Sequence, residues 1–169
     1  MQKIIPHLWF ATQAEEAANF YVDVFRDGRI IEVSRYSEAG EETHRQTPGS
    51  VMTVEFELQG QRFLALNGGI VFPFSEAISF VIDCESQAEV DHYWEQLSAV
   101  PQAEQCGWLK DKYGVSWQVV PRQLRELLAG PDRAATDRTM VAMLRMQKLD
   151  IAALQAAHDS VDEDDETEV

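Results

Sequence analysis

EQCGWLKDKYGVSWQVVP, from Glu104 to Pro121, places the turn residues Asp111, Lys112, Tyr113 and Gly114 between two apolar, aromatic-rich runs. That arrangement predicts a β-hairpin with arms at residues 105–109 and 115–120. Alternate side chains of a strand share a face, so Ser116, Gln118 and Val120 point one way while Val115, Trp117 and Val119 point the other. Gln118 stands among apolar neighbours on what reads as an inward face. A buried amide without partners costs on the order of 1–3 kcal/mol. Gln118 is therefore either satisfied inside the core or turned toward a cavity and a ligand.

Upstream of the hairpin, residues 77–83 read as a strand and residues 87–97 as a helix. The same order occurs earlier in the chain. Residues 3–10 form an apolar strand carrying Pro6. In residues 13–26, Ala14, Ala17, Ala18, Tyr21, Val22 and Phe25 recur at helical spacing, with Glu15 and Glu16 in the first turn, where carboxylates suit the helix dipole. Asp27-Gly28 ends that helix, residues 29–36 follow as a strand, and residues 37–50 read as a mobile polar loop. Residues 51–58 and 62–67 then pair around Gln59-Gly60-Gln61. The two helices align at a shared offset of 73 residues, with Ala14-Glu15-Glu16-Ala17 over Gln87-Ala88-Glu89-Val90. The chain thus repeats strand, helix and strands, close to βαβββ twice over. Such units bury their open sheets and leave a cleft between them.

This predicts an α+β protein with a first module at 1–70, a second at 71–121 and C-terminal helices at 122–158. The helices are marked by Leu124, Leu127 and Leu128, then Met140, Met143, Leu144 and Met146, then Ile151 and Leu154, with breaks at Gly130-Pro131 and near Asp150. Residues 159–169, DSVDEDDETEV, read as a disordered, solvated acidic tail.

With 169 residues, 45% of them hydrophobic, the chain suffices for one well-buried domain or two fused modules. No apolar run approaches the roughly 20 residues that cross a bilayer, and the N-terminus has no cleavable apolar segment. A cytoplasmic protein is the expectation. A net charge of −15 speaks against nucleic acid and anionic membrane as partners. Cys84 and Cys106 form no CxxC pair and fit reduced, partly buried thiols. His44 sits in the polar loop and reads as solvated, and His92 as an exposed helix residue. Trp117 reads as core packing, Trp9 shares a face with His7, and the side taken by Trp108 stays open.

The runs PHLWFATQAEEAANFY, FLALNGG, SFVIDCESQAEVDHYW and CGWLKDKYGVSWQVVP resemble the PhnB-like branch of the vicinal oxygen chelate (glyoxalase/bleomycin resistance) superfamily. Its members often carry a demethylubiquinone methyltransferase label. The resemblance implies paired βαβββ modules, a homodimer, and a cavity in each sheet. Metal-using members supply a ligand from the first and the last strand of each module. Here the matching positions are His7 and Leu64 in one module and Ala77 and Gln118 in the other. Leu64 and Ala77 cannot bind a metal, so His7 and Gln118 are weak candidates and no metal cofactor is expected. Gly68-Gly69 follows a strand but opens no helix, which speaks against a nucleotide-type methyltransferase site.

Three readings remain. The first is a metal-free small-molecule-binding protein with a cavity lined by His7, Trp9, Leu64, Leu66, Ser79 and Gln118. The second is a metal-dependent lyase, isomerase or dioxygenase using His7 and Gln118. The third is a structural or interaction protein whose C-terminal helices and acidic tail do the work. The catalytic residues, if any, are not assigned.

Overall fold

The computed structural model describes residues 3–160, so residues 161–169 of the acidic tail lie outside the described residues. The chain divides into two compact units, Met1–Pro73 and Phe74–Val169. Among the described residues no helix is long and apolar enough to cross a membrane.

The first unit contains β1 (His7–Phe10), α1 (Ala14–Val24), β2 (Arg29–Arg35), the one-turn helix α2 (Glu41–His44), β3 (Val51–Leu58) and β4 (Gln61–Asn67). Its sheet runs β1-β4-β3-β2, with β1 parallel to β4 and the other pairs antiparallel. Alternation decides which face is covered. Val54, Phe56 and Leu58 of β3 and Phe63 and Ala65 of β4 are buried, and α1 packs on that side. Ala14, Ala17 and Ala18 are fully buried and let the helix lie close, while Tyr21 stacks on Phe56 and Phe56 on Phe63, at 6.0 and 5.3 Å between ring centres. Each such aromatic contributes roughly 2–3 kcal/mol through burial. Gln13 provides no side-chain cap for α1. Its first free amide, on Ala14, instead donates to Asn67 Oδ1 at the end of β4, 2.8 Å away. The expected loop at 37–50 includes α2, and it is closed at its base by Tyr36 N–H donating to Ser50 O and Gly49 N–H to Tyr36 O.

The second unit contains β5 (Phe80–Cys84), α3 (Gln87–Leu97), a 3-10 turn at Pro101–Ala103, β6 (Trp108–Lys110), β7 (Ser116–Pro121), α4 (Arg122–Leu128), α5 (Arg133–Leu144) and α6 (Ile151–Asp159). Its sheet runs β5-β7-β6. The mixed α+β class and the doubled strand-helix-strand order are as the sequence predicts, but the second module holds three strands among the described residues, not four. Residues 98–107, which join α3 to β6, include Pro101 and the 3-10 turn, and are too few for another strand and its return. The first unit gives the same connection residues 25–50.

Three of the helices start on side-chain caps. Ser86 Oγ accepts from Glu89 N–H, Asp132 Oδ1 from Ala135 N–H and Asp150 Oδ1 from Ala153 N–H. Glu89 reaches back to the amide of Glu85 at 2.7 Å, which holds the entry to α3 from both sides. The hairpin turn is built around Asp111, 1% exposed. Its Oδ1 accepts from the amides of Tyr113 and Val115, at 2.9 and 3.0 Å, and its Oδ2 from Trp117 Nε1 at 2.8 Å.

The C-terminal helices pack on the second unit around Leu124, Leu127, Leu149 and Leu154, with Val120, Met143 and Met146 beside them. Two clasps fix them. Gln87 on α3 donates from Nε2 to Leu149 O at 3.1 Å and accepts Ile151 N–H at Oε1, 2.9 Å away. At the start of the hairpin, the amides of Cys106 and Gly107 donate to Met146 O and Gln147 O, both at 2.8 Å. Gly107 has φ of 84°, and a Cβ there would lie 2.8 Å from Val119 O and 3.0 Å from Leu149. Only glycine admits this approach.

Candidate functional site

Register places the first unit's candidate residues side by side. His7 is the strand partner of Leu64, and Leu64 is the partner of Glu55 on β3. Trp9 is the partner of Leu66, and Leu66 of Thr53, which in turn neighbours Ser34 on β2. His7, Trp9, Leu64 and Leu66 thus share the face that α1 leaves open. Leu64, Leu66 and Trp9 are half-buried and His7 is exposed. The apolar patch has a polar border, because Glu55 is paired with Arg62, Glu57 with Arg29 at 2.7 Å, and Ser34 Oγ meets Thr53 Oγ1 at 2.5 Å.

Trp9 is the most firmly held of these side chains. Its Nε1 donates to Ile70 O at 2.7 Å, and its ring meets Phe72 edge-on at 5.1 Å. The ring also lies against Gly68, where a Cβ would come within 1.9 Å of Trp9 Cζ2. A side chain at 68 would evict the indole. Ile70, Val71 and Phe72 are 64%, 73% and 58% exposed, so the strip beyond Trp9 is apolar and open.

On the second unit's open face Gln118 lies between Val81 on β5 and Trp108 on β6. Its Nε2 donates to Ser79 Oγ at 2.9 Å, which brings the two candidate polar residues of this sheet together. The buried face is the opposite one, with Trp117 and Val119 at 3% and 0% exposure. The inward face expected for Gln118 is therefore the half-open one: alternation says which residues share a side, and α3 takes the side of the tryptophan. Trp108, left open by the sequence, shares the face of Gln118. Trp117 packs in the core, tilted against Phe80 at 5.4 Å. Register also makes Val81, rather than Ala77, the counterpart of His7.

These donors do not fit a metal ion. The strand neighbours of His7 and Gln118 are Leu64, Val81 and Trp108, none of which offers a metal a lone pair, the Trp108 indole N–H being a donor only. Among the described residues no three His, Cys, Asp or Glu side chains converge. His44 is half-buried rather than solvated: its Nδ1 accepts from Gln46 N–H at 3.0 Å and its ring packs on Tyr36 at 4.7 Å. His92, expected to be exposed, is half-buried against Tyr93.

Sequence reasoning missed Thr53, Glu55, Phe72 and Val81. The first two were visible in principle, since VMTVEFEL alternates polar Thr53, Glu55 and Glu57 with apolar Val54, Phe56 and Leu58. Phe72 carried no periodic signal, and Val81, inside the strand expected at residues 77–83, had no polar group to mark it as part of a site.

Neither thiol is disulfide-bonded, and Cys84 is buried. Burial, then the nearby charges of Glu89 and Asp83, pushes the Cys84 thiol up to about 12 from its ordinary value near 9. The unfolded chain releases this proton first, so stability present below pH 9 is lost as pH rises through about 12. The expected result is that Cys106 reacts with an aromatic disulfide reagent at pH 8 in the native protein while Cys84 reacts only after urea is added. Equal native rates would contradict it.

The fold is mixed α+β, with two small sheets that each keep one face free of the helix of their own module. The family model described as 3-demethylubiquinone-9 3-methyltransferase matches residues 2–120, and the chain belongs to that family, as a PhnB-like member. A solved structure described as a putative 3-demethylubiquinone-9 3-methyltransferase, PhnB protein, from Bacillus cereus is 36% identical; the match covers 71% of this chain and 99% of that one, with a TM-score of 0.59. A protein from Pseudomonas aeruginosa shares the fold at 17% identity and a TM-score of 0.54, over 72% of this chain and 98% of that one. No curated protein matches the chain.

Proposed function

We propose that this PhnB-like protein binds a small, largely apolar molecule without the help of a metal. The observation that carries the reading is the half-buried patch of Trp9, Leu64 and Leu66 on a face that no helix of its unit covers, bordered by His7 and Thr53. Apolar walls with a few placed polar groups are what a ligand site requires. Ser79 and Gln118 form the corresponding polar pair on the second unit's open face. In the same reading the protein is a cytoplasmic homodimer and the methyltransferase label is a family description only. Gly68-Gly69 leads into Ile70–Phe72 without starting a helix, so no phosphate-binding turn supports a nucleotide cofactor there.

The test is thermal melting of the untagged protein, with elemental analysis beside it. The probes are a short-chain demethylated benzoquinone, chosen from the family description, and Ni, Zn, Mn and Fe(II). A hundredfold excess over Kd adds about 2.7 kcal/mol of stability, which raises Tm by about 5–10 °C. The expected result is a saturable shift with the quinone and none with the ions. A stoichiometric ion that His7→Ala removes would overturn the metal-free reading and revive a lyase, isomerase or dioxygenase. No shift with the quinone or with a naphthalene sulfonate would overturn the binding reading itself.

A further inference from the structure

The family model ends at residue 120, and the Bacillus cereus structure is covered in full by about seven-tenths of this chain. Helices α4–α6 are therefore an addition beyond the matched region. Their inner side is explained by the leucine cluster and the two clasps, but the outer side of α5 is not. Met140, Val141 and Leu144 are 38%, 46% and 53% exposed on it, in a helix whose buried side consists of Ala135 and Thr139. A groove of about 500 Å³ runs along this side, lined by Ala134, Asp137, Arg138, Val141, Ala142 and Arg145 together with Ala157 and Ser160.

Of the three charged side chains in this groove, Arg138 is turned onto the Ala157 and His158 carbonyls, at 3.2 and 3.0 Å, and the other two have a symmetry. Asp137 stands one helical turn before Val141 and Arg145 one turn after it, so all three fall on one stripe of the helix surface. Among the described residues neither charged side chain forms an ion pair. A two-fold axis through Val141, perpendicular to α5, would bring each Asp137 opposite the Arg145 of a second copy, twice over, with the two valines against each other. Isologous interfaces need just such a self-complementary patch. Ala134 and Ala142 leave room for the helices to approach at the usual 8–10 Å.

We propose that α5 is a self-docking surface, pairing antiparallel with α5 of a second copy about Val141. The occupant is this chain rather than a foreign partner because the stripe carries both charges of the pair and arranges them symmetrically about an apolar centre. The contact adds a surface to the homodimer proposed above and does not depend on the ligand reading. Twelve residues of helix span about 18 Å, so this surface by itself is a small one and its association depends on concentration.

Sedimentation velocity on the full chain over about a hundredfold range of concentration tests it. The wild type is expected to gain one doubling of mass that Asp137→Arg and Arg145→Asp each abolish. The double reversal, Asp137→Arg with Arg145→Asp, restores the pairing and is expected to regain it. Circular dichroism and Tm of the single variants check that they fold, and the rescue by the double variant excludes misfolding as the cause. A wild type that never associates overturns the proposal, as does association unaffected by the single reversals or not regained in the double variant. Naphthalene sulfonate binding is expected to persist in all three variants, so failure here is distinguishable from failure of the binding site.

Discussion

Asp111→Ala is expected to destabilise the second unit by about 3 kcal/mol, among the largest effects of any single polar substitution in the chain. The carboxylate accepts from two amides and the Trp117 indole at 2.8–3.0 Å while almost wholly out of solvent. Truncation leaves three donors facing an apolar void, and each unsatisfied buried donor costs about 1–3 kcal/mol; relief from burying a charge offsets part of the sum. Asp111→Asn keeps the shape but turns an NH₂ toward one of the donors, so it is expected to lose most of the same stability. Urea unfolding followed by Trp117 fluorescence reads both. A loss below about 1 kcal/mol for Asp111→Ala would mean that water reaches the turn and that the hairpin is held by its apolar arms.

Trp9→Ala is expected to weaken binding of the naphthalene sulfonate about thirtyfold, or roughly 2 kcal/mol, the scale of an aromatic anchor in an interface. The indole supplies the largest apolar surface on the open face and is fixed by Ile70 O, Phe72 and the bare backbone of Gly68. Gly68→Ala provides an independent route to the same outcome, because its methyl group takes the volume of the ring without touching the ligand face. Calorimetry measures both, since removing Trp9 also alters the protein fluorescence against which dye binding would be read. Unchanged affinity in both would place any ligand elsewhere, and binding lost in Gly68→Ala but not in Trp9→Ala would point to backbone strain instead.

What was legible in the sequence is what local chemistry determines. The expected bounds of α3, residues 87–97, coincide with the observed Gln87–Leu97, because the cap that starts it, Ser86 with Glu89, is written within four residues. The hairpin turn was equally visible in Asp111 to Gly114. The start of α1, by contrast, depends on Asn67, 53 residues further along, and no local pattern announces that. Alternation in β7 sorted Gln118 from Trp117 correctly but could not say which side a helix would cover. The same limit explains the second sheet: a doubled pattern implied four strands, while the length of residues 98–107 left room for a turn only. At the candidate site, His7 and Leu64 came into view through the family resemblance, and the register makes them strand partners, whereas Phe72 lies in a segment with no periodicity.

The two clasps at Gln87 and at Cys106-Gly107 bear on the order in which the protein can be made. The strands and the helix that build the first unit's helix-side core lie within the first seventy-three residues, so that unit can close as soon as it emerges from the ribosome. The second unit's hairpin waits for carbonyls at Met146 and Gln147, and Gln87 of α3 for that of Leu149, all synthesised well after β7. During that interval Val120 and Gly107 lack their final cover, and the nascent second unit is the part of the chain that a chaperone would meet.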